Sequence, residues 1–235
     1  MSKMTADIAA NLAAIRERIE AAARRAGRDP ESVTLVAASK GMAAPAIRAA
    51  IAAGQRLFGE NYLQEAEAKV AELAADRPIW HFIGRLQSNK ARPAAERFAM
   101  VETVDRLKLA TALDRYAVET GRTLPVLVQV NIGREPQKAG VLPEAAGELL
   151  AAINELPALR VMGLMALPPF FDDPERARPY FRATRQLAEE LTGRGLLGRH
   201  GPVVLSMGMS GDFEAAVEEG ATLVRVGTAL FGPRS

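Results

Sequence analysis

The segment VTLVAAS, residues 33–39, is short, apolar and rich in valine and leucine. A helical pattern follows it, opening at Pro45 and ending near Gly54. Further apolar runs, separated by helical patterns, predict strands at residues 57–60, 79–83, 99–104, 125–131, 159–167, 203–207 and 222–227. Strands that are apolar on both faces and joined by helices indicate a parallel sheet covered by helices. Eight such units predict a (β/α)8 barrel of the TIM type.

An additional helix precedes the first predicted strand. Apolar residues recur at spacings of four and three through residues 5–26, and Gly27 and Pro30 end this amphipathic pattern. Since the last strand ends close to the C-terminus, we expect no helix after it, and the N-terminal helix could cover the vacant place. We expect one domain over residues 1–235, because no linker or repeat divides the chain. An open doubly wound sheet is the alternative, but its Gly-x-Gly-x-x-Gly fingerprint is missing after the first strand.

The composition limits the possible chemistry. The chain has 235 residues, no cysteine and a formal net charge of +2. Disulfides, thiolate nucleophiles and cysteine-ligated metals are therefore excluded, and a reducing, cytoplasmic location is expected. Charges such as Asp7 and Arg16 interrupt the N-terminal segment, and no later apolar run could span a bilayer, so we expect no membrane partner. The only histidines, His81 and His200, cannot form a metal cluster with cysteine or an HExxH pair, so we expect no metal.

Two basic patches raise the question of nucleic acid, because the sequence pI is about 9.1. One patch lies at residues 24–28, and the other contains Arg85, Lys90 and Arg92. Neither has interleaved aromatic residues on which bases could stack. Solvated helix ends explain both patches, and we expect no nucleic-acid partner.

Unusual polar residues follow the predicted strands, where barrel enzymes place their active sites. They are Lys40, Glu60, Asn61, Asn131, Ser206, Ser210, Arg225, Gly227 and Thr228. Barrels often bind phosphate with the loops after strands seven and eight, which here are residues 206–212 and 224–228. Ser210 and Gly211 would open a short helix with free N–H groups, while Gly227 would permit close backbone approach. The alternative is that these glycines and serines only turn the chain and cap a helix.

Lys40 is the most informative residue, because a lysine directly after an apolar strand is partly desolvated. Desolvation favours the neutral amine that forms an imine with an aldehyde. An exposed loop lysine is an equally ordinary interpretation. His81 lies within strand three and could be catalytic or a hydrogen-bonded core histidine. Met165 belongs to a run that is ordinarily strand core, yet it could form the floor of a ring-shaped ligand's site.

Several motifs together resemble one known family. They are ASK (38–40), FGENY (58–62), WHFIGRLQSNK (80–90), NIGREPQKAG (131–140), GLMAL (163–167), SMGMSGDFEAAVEEG (206–220) and VRVGTALFG (224–232). In this order, and over almost the whole chain, they are similar to the pyridoxal phosphate homeostasis protein family. The family's fold is an alanine-racemase-like barrel without the racemase's second β domain.

The resemblance implies that pyridoxal 5′-phosphate (PLP) is bound as an aldimine, or Schiff base, on Lys40. It implies phosphate contacts from Ser210, Gly227 and Thr228, with backbone contacts from Met209 and Gly211. Arg225 would face the pyridine nitrogen, and other pocket positions fall on Asn61, His81, Met165 and Ser206. Lys138 matches a lysine at the pocket rim. Gly41 and Gly211 depart from the family's usual Thr and Asp, and could alter loop rigidity.

The function implied is that of a non-catalytic carrier, which holds the reactive aldehyde, buffers its level and passes it to apo PLP-dependent enzymes. A monomer is expected, with a dimer as the alternative. An amino-acid racemase is the second hypothesis, but no domain remains to provide the opposing tyrosine base, and Tyr62, Tyr116 and Tyr180 do not obviously replace it. A Schiff-base aldolase is the third, although such enzymes usually carry the lysine on a later strand.

Overall fold

Eight parallel strands form a closed barrel in the order in which they occur along the chain. The computed structural model describes residues 3–232, so residues 1–2 and 233–235 of the expected domain lie outside the described part. Strand β1 closes the barrel by pairing with β8, where Val36 lies opposite Arg225. The strands are β1 Thr34–Ala38, β2 Leu57–Glu60, β3 Ile79–Phe82, β4 Met100–Val104, β5 Leu124–Val130, β6 Leu159–Ala166, β7 Val204–Ser206 and β8 Leu223–Val226. The predicted barrel is confirmed, and the ends of every strand lie within one residue of their predicted positions.

Helices cover the outside of the barrel, as the apolar faces of the strands require. In the described part of the chain they are α1 Lys3–Arg25, α2 Ala44–Ala52, α3 Leu63–Glu72, α4 Ala91–Arg97, α5 Leu107–Glu119, α6 Ala146–Asn154, α7 Arg178–Gly193, α8 Phe213–Glu218 and α9 Thr228–Phe231. Short 3-10 helices lie at Pro30–Ser32, Ala74–Asp76, Ser88–Lys90, Pro143–Ala145 and Pro174–Arg176. No described helix is both long and apolar enough to cross a bilayer.

The additional helix α1 packs against α2, α8 and α9. Its apolar stripe of Ile8, Leu12, Ile15 and Ile19 is buried, as the spacing of four and three predicts. Asn11 Nδ2 donates to the Leu230 carbonyl at 3.0 Å, which ties α1 to the end of the chain. The expectation that no helix follows the last strand is wrong, because α9 begins one residue beyond the end of β8. Since α9 has only four residues, α1 provides most of the cover on this side.

The barrel interior changes from apolar to polar along its length. Val36, Leu127, Met165 and Leu223 form an apolar cluster inside the ring of strands. Gly163 lets strands β6 and β7 approach closely, because a Cβ at this position would lie 1.9 Å from the Val204 carbonyl oxygen. Buried polar side chains gather at the carboxyl ends of the strands, which is where the candidate site lies.

Candidate functional site

The structure places the predicted site residues at the carboxyl ends of the strands. Asn61 directly follows β2, and Lys40 follows β1 after a single residue, Ser39. His81 lies in β3, Met165 is the penultimate residue of β6, Ser206 ends β7 and Arg225 lies in β8. Met209, Ser210 and Gly211 form the loop after β7, while Gly227 and Thr228 follow β8. One end of the barrel therefore carries all of these positions.

A hydrogen-bonded network crosses the barrel interior from β8 to β3. Arg225 Nη1 donates to Ser206 Oγ at 2.5 Å, and Arg225 Nη2 donates to the Ala166 carbonyl at 3.0 Å. The Ser206 hydroxyl in turn donates to Glu102 Oε2 at 2.5 Å. The other oxygen of Glu102 lies 2.7 Å from His81 Nδ1, so an ionised Glu102 requires the hydrogen on that nitrogen. Both oxygens of the carboxylate are thus used.

This network contains a buried cation and a buried anion. The side chain of Glu102 is fully buried, and Arg225 is 4% exposed. Burial lowers the pKa of the Arg225 guanidinium, while the carboxylates of Glu102 and Asp212 act in the opposite direction. Arginine nevertheless remains a cation in proteins, so the network fixes a hydrogen-bond donor inside the barrel. Glu102 was missed by the sequence analysis, although a carboxylate inside the apolar run 99–104 was a signal that could have found it.

The loops after β7 and β8 meet through Ser210. Its Oγ accepts hydrogen bonds from the backbone N–H groups of Gly227 and Ala229, both at 3.3 Å. Asp212 holds the same loop by accepting from the Met209 N–H at 2.6 Å, and burial raises the pKa of its carboxyl. Two backbone amides at the N-terminal end of α9 therefore converge on a single oxygen atom.

The remaining predicted phosphate positions differ in their surroundings. Thr228 is exposed at the start of α9, and Gly211 is exposed with no other group near its Cβ position. Gly227 lies against β1, because a Cβ there would be 3.0 Å from the Ala38 carbonyl oxygen. A larger residue at Gly227 would therefore separate β8 from the segment that leads to Lys40.

A second buried cluster holds the residue before Lys40. Ser39 Oγ donates to Glu60 Oε1 at 2.6 Å, and Lys69 Nζ donates to the same oxygen at 2.8 Å. Lys69 also donates to the Ser39 carbonyl at 2.7 Å. The backbone on the other side of Lys40 is held as well, since the Gly41 N–H donates to Glu65 Oε2 at 2.9 Å. Lys40 itself is half-buried between these two anchored residues.

Glu60 is fully buried, and its Oε2 has no hydrogen-bond partner among the described residues. Burial raises the pKa of Glu60, and the contacts with Lys69 and Ser39 offset this rise only in part. The sequence placed Glu60 at a strand end without a role, and it gave no reason to select Ser39 or Lys69. The ASK and FGENY motifs contain Ser39 and Glu60, but the contact with Lys69 depends on the position of α3.

Asn61 Oδ1 is another buried acceptor atom, and it has no hydrogen-bond partner in the part of the chain that the structure describes. Its backbone packs against Gly84, where a Cβ would lie 2.0 Å from the Asn61 carbonyl oxygen. The position of Asn61 is thus set by contact with the loop after β3. An unpartnered buried amide oxygen is an available contact for a ligand.

Asn131 and Lys138 organise the loop after β5. Asn131 Nδ2 donates to the Glu135 carbonyl at 2.9 Å, and the Glu135 N–H donates to Asn131 Oδ1 at 3.1 Å. Lys138 Nζ donates to the Pro168 carbonyl at 2.7 Å and lies 2.5 Å from Glu135 Oε2. The strand-end asparagine therefore folds its own loop, and the lysine joins that loop to the one after β6. Among the described residues, no cluster of three histidines or carboxylates suits a metal ion.

Comparisons with known proteins place the chain in a family. A family model described as alanine racemase, N-terminal domain, matches residues 10–235. Relatives named pyridoxal phosphate homeostasis protein are 51% identical in Pseudomonas aeruginosa and 48% identical in Escherichia coli strain K12. Each covers 97% of this chain, and the matches span 96% and 97% of those proteins. The solved structure of PipY from Synechococcus elongatus with PLP bound has a TM-score of 0.83 and 42% identity, covering 96% of this chain and 100% of that one.

The fold and the family model together define an alanine-racemase-type barrel. The chain belongs to the pyridoxal phosphate homeostasis protein family, as its motifs indicated. Alanine racemase from Corynebacterium glutamicum shares the fold, with a TM-score of 0.69 and 20% identity. That match covers 94% of this chain but only 62% of the racemase.

Proposed function

We propose that the chain is a PLP-binding protein of PLP homeostasis, which holds the cofactor covalently on Lys40 and passes it to apo enzymes. The names of its relatives support the homeostasis role, and the PLP bound to PipY supports the ligand. The proposed site consists of Lys40, Asn61, His81, Met165, Ser206, Met209, Ser210, Gly211, Arg225, Gly227 and Thr228. When bound, PLP supplies a phosphate and an aldehyde that condenses with a primary amine.

The residues at the β7 and β8 ends fit a phosphate. The Gly227 and Ala229 amides already converge on an oxygen, that of Ser210, so a phosphate oxygen near the same point would meet donors with suitable directions. Thr228 adds a hydroxyl at the start of α9, where backbone N–H groups lack helical partners. Lys138 contacts the β6 loop instead, and we assign it to the rim.

The ring end of the ligand would lie among residues that the buried network orients. Arg225 presents a permanent cation, and its contacts with Ser206 and Ala166 fix the plane of the guanidinium. A guanidinium can only donate, so a pyridine nitrogen that faces it must accept and stay unprotonated. Asn61 offers its unpartnered Oδ1, and Met165 provides an apolar surface. The arrangement therefore favours binding and weakens the electron withdrawal that catalysis needs.

The contacts around Lys40 suit a nucleophilic lysine whose backbone is held in one position. Ser39 and Gly41 are both anchored, so the backbone of Lys40 is fixed while its side chain extends from the β1 end. Lys40 follows β1, and Gly227 and Thr228 follow β8, which pairs directly with β1. This adjacency of a strand-end lysine and convergent amides is the observation that carries the proposal.

We propose that the protein is a carrier and not a racemase. Racemisation needs a second base on the opposite face of the substrate. Tyr116 lies on α5 beside Arg115, and Tyr180 on α7 stacks with Phe171, so both belong to the outside of the barrel. Tyr62 is 59% exposed at the start of α3. None of the three tyrosines offers a buried base at the mouth, and we expect negligible interconversion of L- and D-alanine.

The same proposal treats residues 1–235 as one PLP-binding domain that acts as a monomer in the cytoplasm. A chain without cysteine suits a reducing compartment, where apo PLP-dependent enzymes would receive the cofactor. Sedimentation equilibrium of the protein with and without PLP tests the oligomeric state. A stable dimer in both samples would contradict the monomer.

Borohydride reduction of the PLP-loaded protein, followed by peptide mass mapping, tests the site. We expect the pyridoxyl group on Lys40, and we expect Lys40→Ala to lose the visible absorbance of bound PLP while it remains folded. Lys90→Ala is the matched control and should keep that absorbance. If the protein without substitutions carried the pyridoxyl group on Lys138 or Lys90, the assignment to Lys40 would be wrong.

The phosphate site has its own test. Ser210→Ala and Thr228→Val should each weaken PLP binding by about 1.5–3 kcal/mol, because each removes a charge-assisted hydrogen bond. Pyridoxal, which lacks the phosphate, should be insensitive to both substitutions. Equal affinity of the unmodified protein for pyridoxal and PLP would argue against a phosphate anchor.

A further inference from the structure

A cleft of about 1330 Å³ lies outside the barrel, between α3, the short helix Ser88–Lys90 and α5. It is larger than the roughly 300–1,000 Å³ typical of small-molecule sites. It adjoins the mouth of the barrel through Asn61 and Tyr62, which line it. The proposed PLP site shares only Asn61 with this cleft, so the rest of its lining needs a separate explanation.

The cleft is strongly basic. Its lining contains five cationic side chains, which are Arg85, Lys90, Arg106, Lys108 and Arg115, and one carboxylate, Glu67. The carboxylate is already paired with Arg97 at 3.6 Å.

Three of these cations have no ion pair with any described residue. Arg85, Lys90 and Lys108 are exposed, and in the described part of the chain no carboxylate lies within ion-pair distance of them. Arg106 and Arg115 are partly neutralised by Asp105 and Glu119. The cleft therefore carries positive charge that the protein itself does not balance.

Apolar side chains are exposed beside these charges. Tyr62 is 59% exposed and Leu107 is 45% exposed, and both line the cleft. A surface that combines unpaired cations with exposed apolar groups fits an acidic polypeptide segment with apolar residues of its own. Nucleic acid fits less well, because binding without sequence preference uses several aromatic platforms and Tyr62 is the one exposed aromatic side chain among the described lining residues.

Helix α3 connects the cleft to the predicted cofactor lysine. Leu63, Gln64 and Glu67 of α3 line the cleft. From the same helix, Glu65 accepts from the Gly41 N–H at 2.9 Å and Lys69 donates to the Ser39 carbonyl at 2.7 Å. A partner seated in the cleft would therefore contact the helix that anchors both neighbours of Lys40.

We propose that this cleft docks an acidic, partly apolar segment of the apo enzyme that receives PLP. The inference rests on the proposed carrier function, since it identifies the partner as the recipient. Docking at the cleft would place the recipient beside the mouth of the barrel and against α3.

The probe for this test is a short fluorescein-labelled peptide of glutamate, leucine and phenylalanine, and binding is followed by fluorescence anisotropy. The variant R85E/K90E/K108E should bind it about tenfold to a hundredfold more weakly, as expected for three lost ion pairs at an exposed site. The control R77E/R176E/R199E changes the same charge at exposed arginines outside the cleft, and it should keep most of the affinity. Equal affinities of the two triple variants would overturn the proposal, as would absence of binding to the unmodified protein.

A second pair of variants tests the apolar part of the surface on one helix. Leu107→Ser should weaken peptide binding severalfold, whereas Val118→Ser, at a position that is 55% exposed on the same helix but outside the cleft, should not. Identical effects of the two would reduce the cleft to a non-specific basic patch and overturn the docking site.

Two competitors distinguish other ligands. A single-stranded oligonucleotide that binds more tightly than the peptide, and loses binding in R85E/K90E/K108E, would overturn the proposal in favour of nucleic acid. Inorganic phosphate that displaces the peptide better than chloride at equal ionic strength would instead indicate a small-anion site. The absorbance of PLP on Lys40 is recorded for every variant and should not change, so failure of docking and failure of PLP binding give separate signals.

Discussion

Glu60 and Glu102 are both fully buried carboxylates near the mouth of the barrel, yet the protein satisfies them differently. One oxygen of Glu60 accepts from both Lys69 and Ser39, and the other has no partner among the described residues. Each oxygen of Glu102 has its own contact, one with Ser206 and one with His81.

The difference shows two ways of positioning a site. The Glu60 cluster acts on backbone, because Lys69 also holds the Ser39 carbonyl and so fixes the chain next to Lys40. The Glu102 network positions side chains, because Ser206 donates to Glu102 and accepts from Arg225. We therefore expect substitutions in the Glu60 cluster mainly to lower the free energy of unfolding. Substitutions in the Glu102 network should also change the absorbance of bound PLP.

Lys69→Met should have the largest effect, because it leaves a buried carboxylate without its cation. We expect the free energy of unfolding to fall by about 3–5 kcal/mol, measured by urea denaturation. The double variant Lys69→Met/Glu60→Gln removes both charges and should recover much of this loss. If the single and double variants were equally unstable, the buried pair would not be coupled.

Glu102→Gln should cost about 2–3 kcal/mol of unfolding free energy, since charge-assisted hydrogen bonds are lost beside the buried Arg225. It should also change the visible absorbance of bound PLP, because the Ser206 hydroxyl that accepts from Arg225 would lose its carboxylate partner. The exposed pair of Arg92 and Glu96 provides the control, and Glu96→Gln should cost less than about 1 kcal/mol with no spectral change. An unchanged absorbance spectrum in Glu102→Gln would show that this network does not affect the bound ligand.

Ser39→Ala should have a smaller effect, about 1 kcal/mol in urea denaturation, because it removes one hydrogen bond to Glu60. Lys69 would still hold the backbone carbonyl at this position, so PLP binding to Lys40 should persist. Ser32→Ala removes an exposed hydroxyl contact and is the matched control. Loss of PLP binding in Ser39→Ala would mean that the hydroxyl, and not the backbone anchor, positions the lysine.

The smallest expected effect is a dependence of stability on pH. Burial raises the pKa of Glu60 above its ordinary value, so the folded protein binds a proton that the unfolded chain has released. The contribution of Glu60 to stability should therefore fall as pH rises from the ordinary glutamate pKa through the raised one. Comparing the unfolding free energy of the unmodified protein and Glu60→Gln over this range isolates the contribution. A contribution that grows with pH would show that Lys69 outweighs burial.

Much of the fold follows from local pattern, because each βα unit repeats the same apolar strand and amphipathic helix. The rule that barrel sites lie at carboxyl ends of strands also brought Lys40, Ser210 and Arg225 to one end. The four-residue helix α9 escaped prediction, since a segment this short has little periodicity of its own.

The supporting residues were harder to predict. Glu102 and Lys69 acquire their roles from contacts with distant parts of the chain, and a charged residue in a strand or helix does not reveal its partner. Asn131 was selected from the sequence as a polar residue at a strand end, but its side chain organises its own loop. Local sequence therefore indicates where a site lies better than what holds it in place.

The hydroxyl of Ser210 affects the hydrogen bonds that the barrel makes when no ligand is bound. Because Ser210 Oγ accepts from the Gly227 and Ala229 amides, these donors keep a partner within the protein itself. Departure of an anion would then leave both of these N–H groups with a partner, and an unsatisfied buried donor is costly. The Gly227 and Ala229 amides therefore need no bound anion to complete their hydrogen bonds, which suits the proposed role of a protein that gives its ligand away.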